Sequence, residues 1–306
     1  MNRLLKLVGF LLINSFLFGC EDVIDIDVES GSPILAVDAW LTNQSENQTI
    51  KLRYSTPYFD SSKAPVGTGA SVTVSDENGK VYNFVDPDQD GDYIWESNGT
   101  DSIGILDMEY TLNVIFDGEA YQAKSVVKRV PPIDSIFVEY REEDFGFPEG
   151  YYAQVFAKDP EGNGDAYWIR TYKNGAFLNK PNEINLSYDG GFSAGSNIDG
   201  ITFITPIREA INPFDEDESE DGGFLSPYVL GDNIKVEVLS ITDDAFDYMN
   251  EVKIQIDRPG GIGELFASPI FNVTSNIENV SGNPEDKPLG FFAVSNISVA
   301  ETTVVE

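Results

Sequence analysis

The sequence contains no histidine and only one cysteine, Cys20. The lack of histidine excludes a Ser-His-Asp triad, a Cys-His pair and any zinc or iron site that needs an imidazole ligand. The lack of a second cysteine excludes a disulfide bond within the chain. A glycine-rich phosphate loop is absent as well. These absences predict a protein that is not an enzyme, unless a pair of carboxylates supplies the chemistry.

Basic residues are scarce, since 19 Lys and Arg residues stand against 52 Asp and Glu residues and the formal net charge is −33. Such a surface repels phosphate backbones, so nucleic acid is not an expected partner. It also repels anionic lipid head groups, so a basic patch cannot attach this protein to a membrane. The charge favours a soluble protein on a cell exterior that meets cations, cationic partners or neutral ligands.

The longest apolar stretch is short and lies at the start of the chain. A basic start with Arg3 and Lys6 precedes about a dozen mostly apolar residues, which are too few to cross a ~30 Å hydrocarbon core as a helix. Gly19 and Cys20 follow at once, in the order of a bacterial lipobox. The sequence therefore predicts a signal peptide over residues 1–19, a lipid anchor on Cys20 and an acidic tether over residues 20–32.

Alternating strands and turn residues fill the next part of the chain. The expected strands cover residues 34–41, 49–54, 70–75, 81–84, 110–116 and 121–127. Asp76 to Gly79 and Asp117-Gly118 supply turns for two hairpins. This pattern predicts an immunoglobulin-like β-sandwich over residues 33–131.

The paired prolines at 131 and 132 mark the expected boundary of a second domain, residues 132–306, which is β-rich with one short helix. Apolar residues at three- and four-residue spacings predict the helix over residues 243–254, with Thr242 as its N-cap. Residues 188–228 are rich in glycine and acidic residues and predict a long, functional or mobile loop.

Acidic residues alternate in the segment Asp86, Asp88, Asp90, Gly91, Asp92. The D-x-D-x-D-G spacing is that of the first half of a calcium loop, in which hard carboxylate oxygens converge on one ion. The twelfth position is Ser97 rather than glutamate, and no helix flanks the segment. The sequence thus leaves two interpretations open, a Ca²⁺ site at these four aspartates or an acidic solvated turn. Residues 159–165 form a second, weaker match.

Three phenylalanines lie in turn-like sequence, where burial is least assured: Phe145, Phe147 and Phe214. We expect them, together with the long loop, to form a partner-facing surface with the nearby acidic residues as its rim. The alternative is a mobile, solvated insertion whose aromatics pack against the sheet.

The order of several short segments resembles a family of Bacteroidota lipoproteins known as DUF4249. These segments are residues 37–43, 54–59, 69–74, 132–136, 159–162, 268–277 and 290–295. Together they span nearly the whole chain after the signal peptide. Residues 278–289 depart from the family pattern, which usually has a shorter, Gly-rich turn there.

The resemblance implies a lipoprotein on the outer face of the outer membrane, since Glu21 and Asp22 after Cys20 are similar to the acidic export signal of such proteins. Family members tend to be encoded beside TonB-dependent receptors, which implies a binding or gating accessory of a TonB-dependent transporter in nutrient uptake. Two alternatives stay open, a structural or adhesive cell-surface protein and a carboxylate-dependent glycan hydrolase. No cofactor is required, and calcium is the only one that the sequence suggests.

Overall fold

The computed structural model describes residues 31–57, 60, 62–99, 101–144, 146–193, 198–215, 223–282 and 287–306. Strands are the main elements, which confirms the predicted mainly β class. They are β1 (Leu35–Thr42), β2 (Gln48–Tyr54), β3 (Ser71–Asp76), β4 (Val81–Phe84), β5 (Asp92–Trp95), β6 (Glu109–Phe116), β7 (Glu119–Val126), β8 (Ile133–Arg141), β9 (Gly150–Ala157), β10 (Ala166–Lys173), β11 (Ala176–Leu178), β12 (Asn185–Tyr188), β13 (Asn233–Ile241), β14 (Glu278–Asn279), β15 (Leu289–Ser295) and β16 (Ile297–Thr303). The described helices are α1 (Thr205–Glu209), α2 (Asp243–Ile256) and 3-10 turns at Pro181–Glu183 and Gly261–Phe266.

Two sheets enclose the first hydrophobic core. One has the strand order β15-β1-β2-β5 and the other β14-β7-β6-β3-β4. Alternate residues point inward, as in β1, where Leu35, Val37, Ala39 and Leu41 are buried. Both predicted hairpins, β3–β4 and β6–β7, are present. The sandwich arrangement fits the expectation for this part of the chain, while the immunoglobulin-like assignment stays a prediction.

Two strands from the far end of the chain complete these sheets. β15 pairs in parallel with β1, from Ala36 opposite Leu289 to Thr42 opposite Ser295. β14 pairs with β7. Residues Pro33–Glu306 form one compact unit. The domain boundary predicted at residues 131 and 132 stays a prediction. In the structure, β14 and β15, which follow this boundary in the chain, pair with strands that precede it.

The second core lies between the β8–β9 hairpin and a sheet of order β11-β10-β13-β16, in which β12 also pairs with β10. Its buried residues include Val155 from β9, Ile169 from β10 and Val236 from β13. A third cluster packs α2 against β13 and β15 through Phe246, Met249 and Phe291.

Helix α2 confirms the one helix that the sequence predicts. The Thr242 hydroxyl accepts a hydrogen bond from the Ala245 amide at 3.3 Å, so Thr242 is the N-cap. Asp243 and Asp244 occupy the first turn, where the helix dipole favours negative charge. The buried face contains Ala245, Phe246 and Met249.

The stretch from Tyr188 to Tyr228, predicted to be a long loop, contains α1 and part of the second core. Four of its apolar side chains are fully buried: Phe203, Ile207, Ile211 and Tyr228. Burial of this much apolar surface fixes the middle of the segment to β9 and β13. Residues 203–211 of the predicted long loop therefore belong to the second core.

Candidate functional site

A cleft of about 430 Å³ opens where the end of the β8–β9 hairpin meets α1. Its volume falls within the range of small-ligand and partner-anchoring pockets, about 300–1,000 Å³. The walls combine aromatic, charged and amide side chains, chiefly Arg141, Phe147, Tyr152, Glu209, Asn212 and Phe214. We refer to this feature as the aromatic cleft.

Arg141 lies at the charged side of the aromatic cleft. Its guanidinium forms ion pairs with Glu139 at 2.7 Å and Glu209 at 2.8 Å and lies 5.0 Å from the centre of the Tyr152 ring. Although burial lowers its pKa, hydrogen bonds from Arg141 to Glu209 and Glu139 raise that pKa above its usual value. The arginine charge is therefore permanent and is neutralised by its own neighbours.

The opposite side of the aromatic cleft is apolar. The rings of Phe147 and Phe214 meet edge to face with centroids 5.8 Å apart, and Phe224 packs against Phe214 at 5.9 Å. Phe147 is 49% exposed and Phe214 37% exposed. The backbones of Asp144 and Phe147 form an isolated antiparallel β-bridge with two hydrogen bonds, which fixes the turn that exposes Phe147. The structure thus brings together two of the three phenylalanines predicted from sequence, while Phe145 lies outside the described residues.

The floor of the aromatic cleft is held by Asn212. Its side-chain amide accepts a hydrogen bond from the Ala153 amide at 2.8 Å and donates to the Ala153 carbonyl at 2.9 Å, so it takes the place of a neighbouring strand on β9. A further hydrogen bond joins Asn212 to the Glu209 carbonyl at 2.7 Å. Arg141, Glu209 and Asn212 were not predicted from sequence, because nothing in their local sequence reveals contacts with distant strands.

A second feature is a cluster of three carboxylates, Asp159, Asp189 and Asp199. One ligand oxygen from each lies within 4.8 Å of the others, and Asp159 and Asp189 are buried. Asp189 accepts hydrogen bonds from the Gly164 and Asp165 amides at 2.9 and 3.0 Å. An all-oxygen set of this kind suits a hard divalent cation such as Ca²⁺.

Burial determines the electrostatics of this cluster. Burial, with added repulsion from Asp165 and Asp189, raises the pKa of Asp159, while hydrogen bonds from Tyr167 and the Gly200 amide oppose that rise. The Tyr167 hydroxyl donates to Asp159 at 2.6 Å, and burial followed by this carboxylate raises the pKa of Tyr167. Tyr167 therefore stays protonated and serves as a hydrogen-bond donor.

Arg129 fixes the loop that carries Asp159 of the cluster. Its guanidinium pairs with Asp165 and donates to the carbonyls of Glu161 at 2.9 Å and Gly162 at 2.5 Å. Residues 159–165, the weaker match to a calcium loop, form this loop. In the structure they serve first to enclose the guanidinium of Arg129. The hydrogen bonds within the loop account for its conformation.

Three of the four aspartates of the stronger calcium match, Asp86, Asp90 and Asp92, have other partners in the structure. Asp86 accepts hydrogen bonds from the amides of Asp90 at 3.1 Å and Gly91 at 3.0 Å, and Asp92 pairs with Arg53. Among the described residues, only the Asp159 cluster brings three carboxylates together, so Asp86, Asp88, Asp90 and Asp92 do not converge. Their segment joins two sheets, since β4 pairs with β3 and β5 with β2. The calcium prediction for these four residues remains to be tested by measurement.

A G-x-S-x-G spacing occurs at residues 191–195. In α/β-hydrolases this motif lies between a strand and a helix and works with a histidine. This chain has no histidine, and Ser193 follows β12 of an antiparallel sheet. The spacing therefore does not indicate a nucleophile.

Residues 1–30 lie outside the described part of the chain, and with them the predicted lipid-bearing Cys20 and most of the tether. Among the described residues, no helix is both long and apolar enough to cross a membrane.

Comparison with known proteins identifies a family for this chain. No curated protein matches it. Comparison with protein-family models matches residues 21–301 to the domain of unknown function DUF4249, which covers nearly the whole chain. The resemblance inferred from the short segments is thus confirmed, and the chain belongs to the DUF4249 family.

Proposed function

We propose that this protein is a lipoprotein held at the outer membrane through Cys20, facing the cell exterior, and that it is a binding or gating accessory of a TonB-dependent transporter in nutrient uptake. The anchor is supported by the basic start, the short apolar stretch and the Gly19-Cys20 junction. The acidic pair after Cys20 and the family membership support the location and the partner.

The observation that carries the docking role is the aromatic cleft. Phe147 and Phe214 present large apolar rings to solvent, and Phe224 extends the same surface. Protein interfaces concentrate their binding energy in aromatic residues of this kind at the centre of a polar rim. The rim here is acidic, with Glu142 and Asp144 beside the cleft. A complementary partner surface offers an apolar side chain to enter the cleft and basic groups around it.

The scaffold beneath the cleft supports a docking role because it needs little rearrangement. Asn212 fixes the floor to β9, and the Arg141 ion pairs join β8 to α1. A preformed surface loses less conformational entropy on binding than a flexible one. The aromatic cleft therefore favours recognition through a fixed shape.

The same contacts remove two of the nearby carboxylates from the hydrolase alternative. A glycosidase needs one carboxylic acid and one free carboxylate that flank the scissile bond. Glu209 of the cleft wall and Glu139 of β8 both bind Arg141. Shared pairing with one arginine leaves neither of these carboxylates available as an independent acid or base.

Paired substitutions test the docking role directly. Phe147→Ser with Phe214→Ser removes the apolar rings without touching the floor of the cleft. We expect the variant to lose co-purification with the TonB-dependent receptor from native membranes after cross-linking, at unchanged amount in the outer membrane. The matched control is Phe177→Ser with Phe192→Ser, which removes two other partly exposed rings and is expected to retain the receptor.

Equal recovery of the receptor with both variants would remove the cleft from the interface. No receptor with the unaltered protein would instead favour the structural or adhesive alternative. Deletion of the loop around residue 214 is a poorer test, because Ile211 belongs to the second core and Asn212 pairs with β9.

A further inference from the structure

The segment after α2 exposes its large apolar side chains almost completely. Ile262, Leu265 and Phe266 are 80%, 81% and 86% exposed, and the side chains of Ile270 and Phe271 are exposed as well. We call residues 261–271 the apolar loop. Contiguous exposed apolar surface is uncommon on soluble proteins and marks contact with a membrane or another apolar partner.

The apolar loop is held in place by contacts with α2. Gln255 accepts a hydrogen bond from the Phe271 amide at 3.1 Å, and Glu251 accepts one from the Thr274 amide at 2.8 Å. Arg258 donates to Glu264 at 2.8 Å through its Nε atom. The exposed side chains are therefore presented by a folded turn and belong to the surface of the native protein.

The apolar loop is also electrically neutral in a strongly acidic protein. From Arg258 to Ile277 the only charged residues are Arg258 and Glu264, and these two pair with each other. The excess of acidic residues that gives the chain its net charge of −33 lies outside this segment. An apolar segment without net charge can enter hydrocarbon at little electrostatic cost, whereas the remaining acidic surface cannot.

The position of the apolar loop relative to the start of β1 favours a bilayer as its partner. α2 starts near the end of β15, because the Ser240 amide donates to the Asn296 carbonyl at 2.9 Å. Tyr248 then contacts Phe291, with ring centroids 4.8 Å apart, so α2 runs toward the start of β15. The start of β15 is paired with the start of β1. The apolar loop thus lies at the end of the unit where β1 begins.

The chain that leads to β1 also comes from the predicted anchor. Between Cys20 and Leu35 the chain spans at most about 50 Å when fully extended. The membrane surface is therefore within reach of the end of the unit that carries the apolar loop.

We propose that the apolar loop inserts Ile262, Leu265 and Phe266 into the lipid leaflet that holds the Cys20 anchor and so orients the folded unit on the membrane. This inference rests on the anchor in the proposed function and is independent of the aromatic cleft. Side chains of this kind enter the boundary between head groups and acyl chains to a depth of about 5–10 Å. The loop acts as a second attachment point, which limits tilting about the tether.

The test uses the chain from Glu21 onward, which lacks both the signal peptide and the lipid, with vesicles of phosphatidylcholine. We expect the protein to float with these vesicles, with little effect of salt, because apolar insertion is not screened. Addition of phosphatidylglycerol is expected to weaken binding through repulsion of the acidic surface. Leu265→Trp is expected to show a blue-shifted emission that brominated lipids quench.

Substitution of three residues supplies the decisive comparison. Ile262→Ser, Leu265→Ser and Phe266→Ser together are expected to lower vesicle partitioning by about tenfold or more. The matched control replaces three other exposed apolar residues, Val81, Val85 and Ile115, by serine and is expected to partition like the unaltered chain.

Equal partitioning of the loop variant and the unaltered chain would overturn the proposal. So would loss of the receptor from pull-downs of the loop variant without any change in vesicle binding, because the loop would then be a protein contact. A failure of receptor docking through the aromatic cleft would leave the vesicle result unaffected, so the two proposals can fail separately.

Discussion

Phe291 and Phe292 are neighbours on β15, and their side chains are buried in different cores. Phe292 lies in the core of the sandwich, whereas Phe291 contacts Trp40 at 5.7 Å and Tyr248 at 4.8 Å in the cluster beneath α2. Successive residues of a strand point to opposite faces. One strand therefore connects the sandwich with α2 and the second half of the chain.

This relationship predicts that both halves unfold together. Phe291→Ala and Phe292→Ala are each expected to lower the free energy of unfolding by about 3–5 kcal/mol, because each leaves a large cavity. Urea unfolding followed by tryptophan fluorescence and by circular dichroism should give one shared, shifted transition for both variants. Val299→Ala at an exposed site of β16 is the control, with a change within about 0.5 kcal/mol. Two separate transitions in either variant would contradict the coupling.

Gly290 allows β15 to approach β1. Its φ is +93°, and a Cβ atom there would lie 1.9 Å from the Val37 carbonyl oxygen. Gly290→Ala is therefore expected to cost more than the roughly 1–3 kcal/mol of backbone strain alone. The control Gly118→Ala has a similar φ of +84° with nothing within 4 Å of the new atom. Equal losses of stability in the two variants, measured by urea unfolding, would show that the contact with Val37 has no cost.

Asp159 predicts a specific pH dependence of stability. Burial raises its pKa in the folded state above the reference value of 3.8. The carboxyl therefore contributes stability fully below that reference value and loses the contribution as pH rises through the folded-state pKa. We expect Asp159→Asn, which does not titrate, to gain stability relative to the unaltered protein as pH rises from about 4 toward neutrality. Urea unfolding at a series of pH values measures the difference.

Asp232 supplies a control of opposite sign. Despite burial, which raises its pKa, hydrogen bonds from Asn174 and the Val229 amide and the nearby Lys173 lower the pKa of Asp232 below 3.8. Its contribution is present above that value and is lost as pH falls through the lowered pKa. Asp232→Asn should therefore be less stable than the unaltered protein near neutrality. The same pH trend for both variants would refute the assignment of either shift.

Asp86 separates the two interpretations of the acidic turn. Its carboxylate accepts from two backbone amides, so Asp86→Ala is expected to lower stability by about 1 kcal/mol. The turn interpretation expects the same loss with and without millimolar calcium chloride. A calcium site would instead raise the melting temperature of the unaltered protein and enlarge the loss in calcium. Differential scanning calorimetry of both proteins in calcium and in chelator gives the result.

Several elements could be predicted from the sequence because their signals are local. Period-two alternation placed β1, β2, β3 and β6, and the turn residues Asp117-Gly118 placed the β6–β7 hairpin. Thr242 and the spacing of Phe246 and Met249 placed α2. Phe147 and Phe214 were selected because aromatic rings in turn-like sequence are poorly buried by their neighbours, and the structure joins them in one cleft.

Other features had no local signal. β12 and β16 were not predicted from sequence and owe their pairing to β10 and β13. α1 was missed because its five residues are too few to show helical periodicity. Arg141 and Glu209 are far apart in the sequence, and only the packing of α1 beside the hairpin makes them an ion pair.

The sequence by itself determined the mainly β class, the acidic surface, the absence of histidine and disulfide chemistry, and the family. These properties follow from composition, short-range periodicity and the order of short segments, all of which are independent of contacts at long range. Only the tertiary structure decided that β15 returns to pair with β1, that Asp86 caps a turn while Asp159, Asp189 and Asp199 converge, and that the apolar loop is left uncovered. These are contacts between segments distant in the chain, and they depend on which surfaces the whole fold buries.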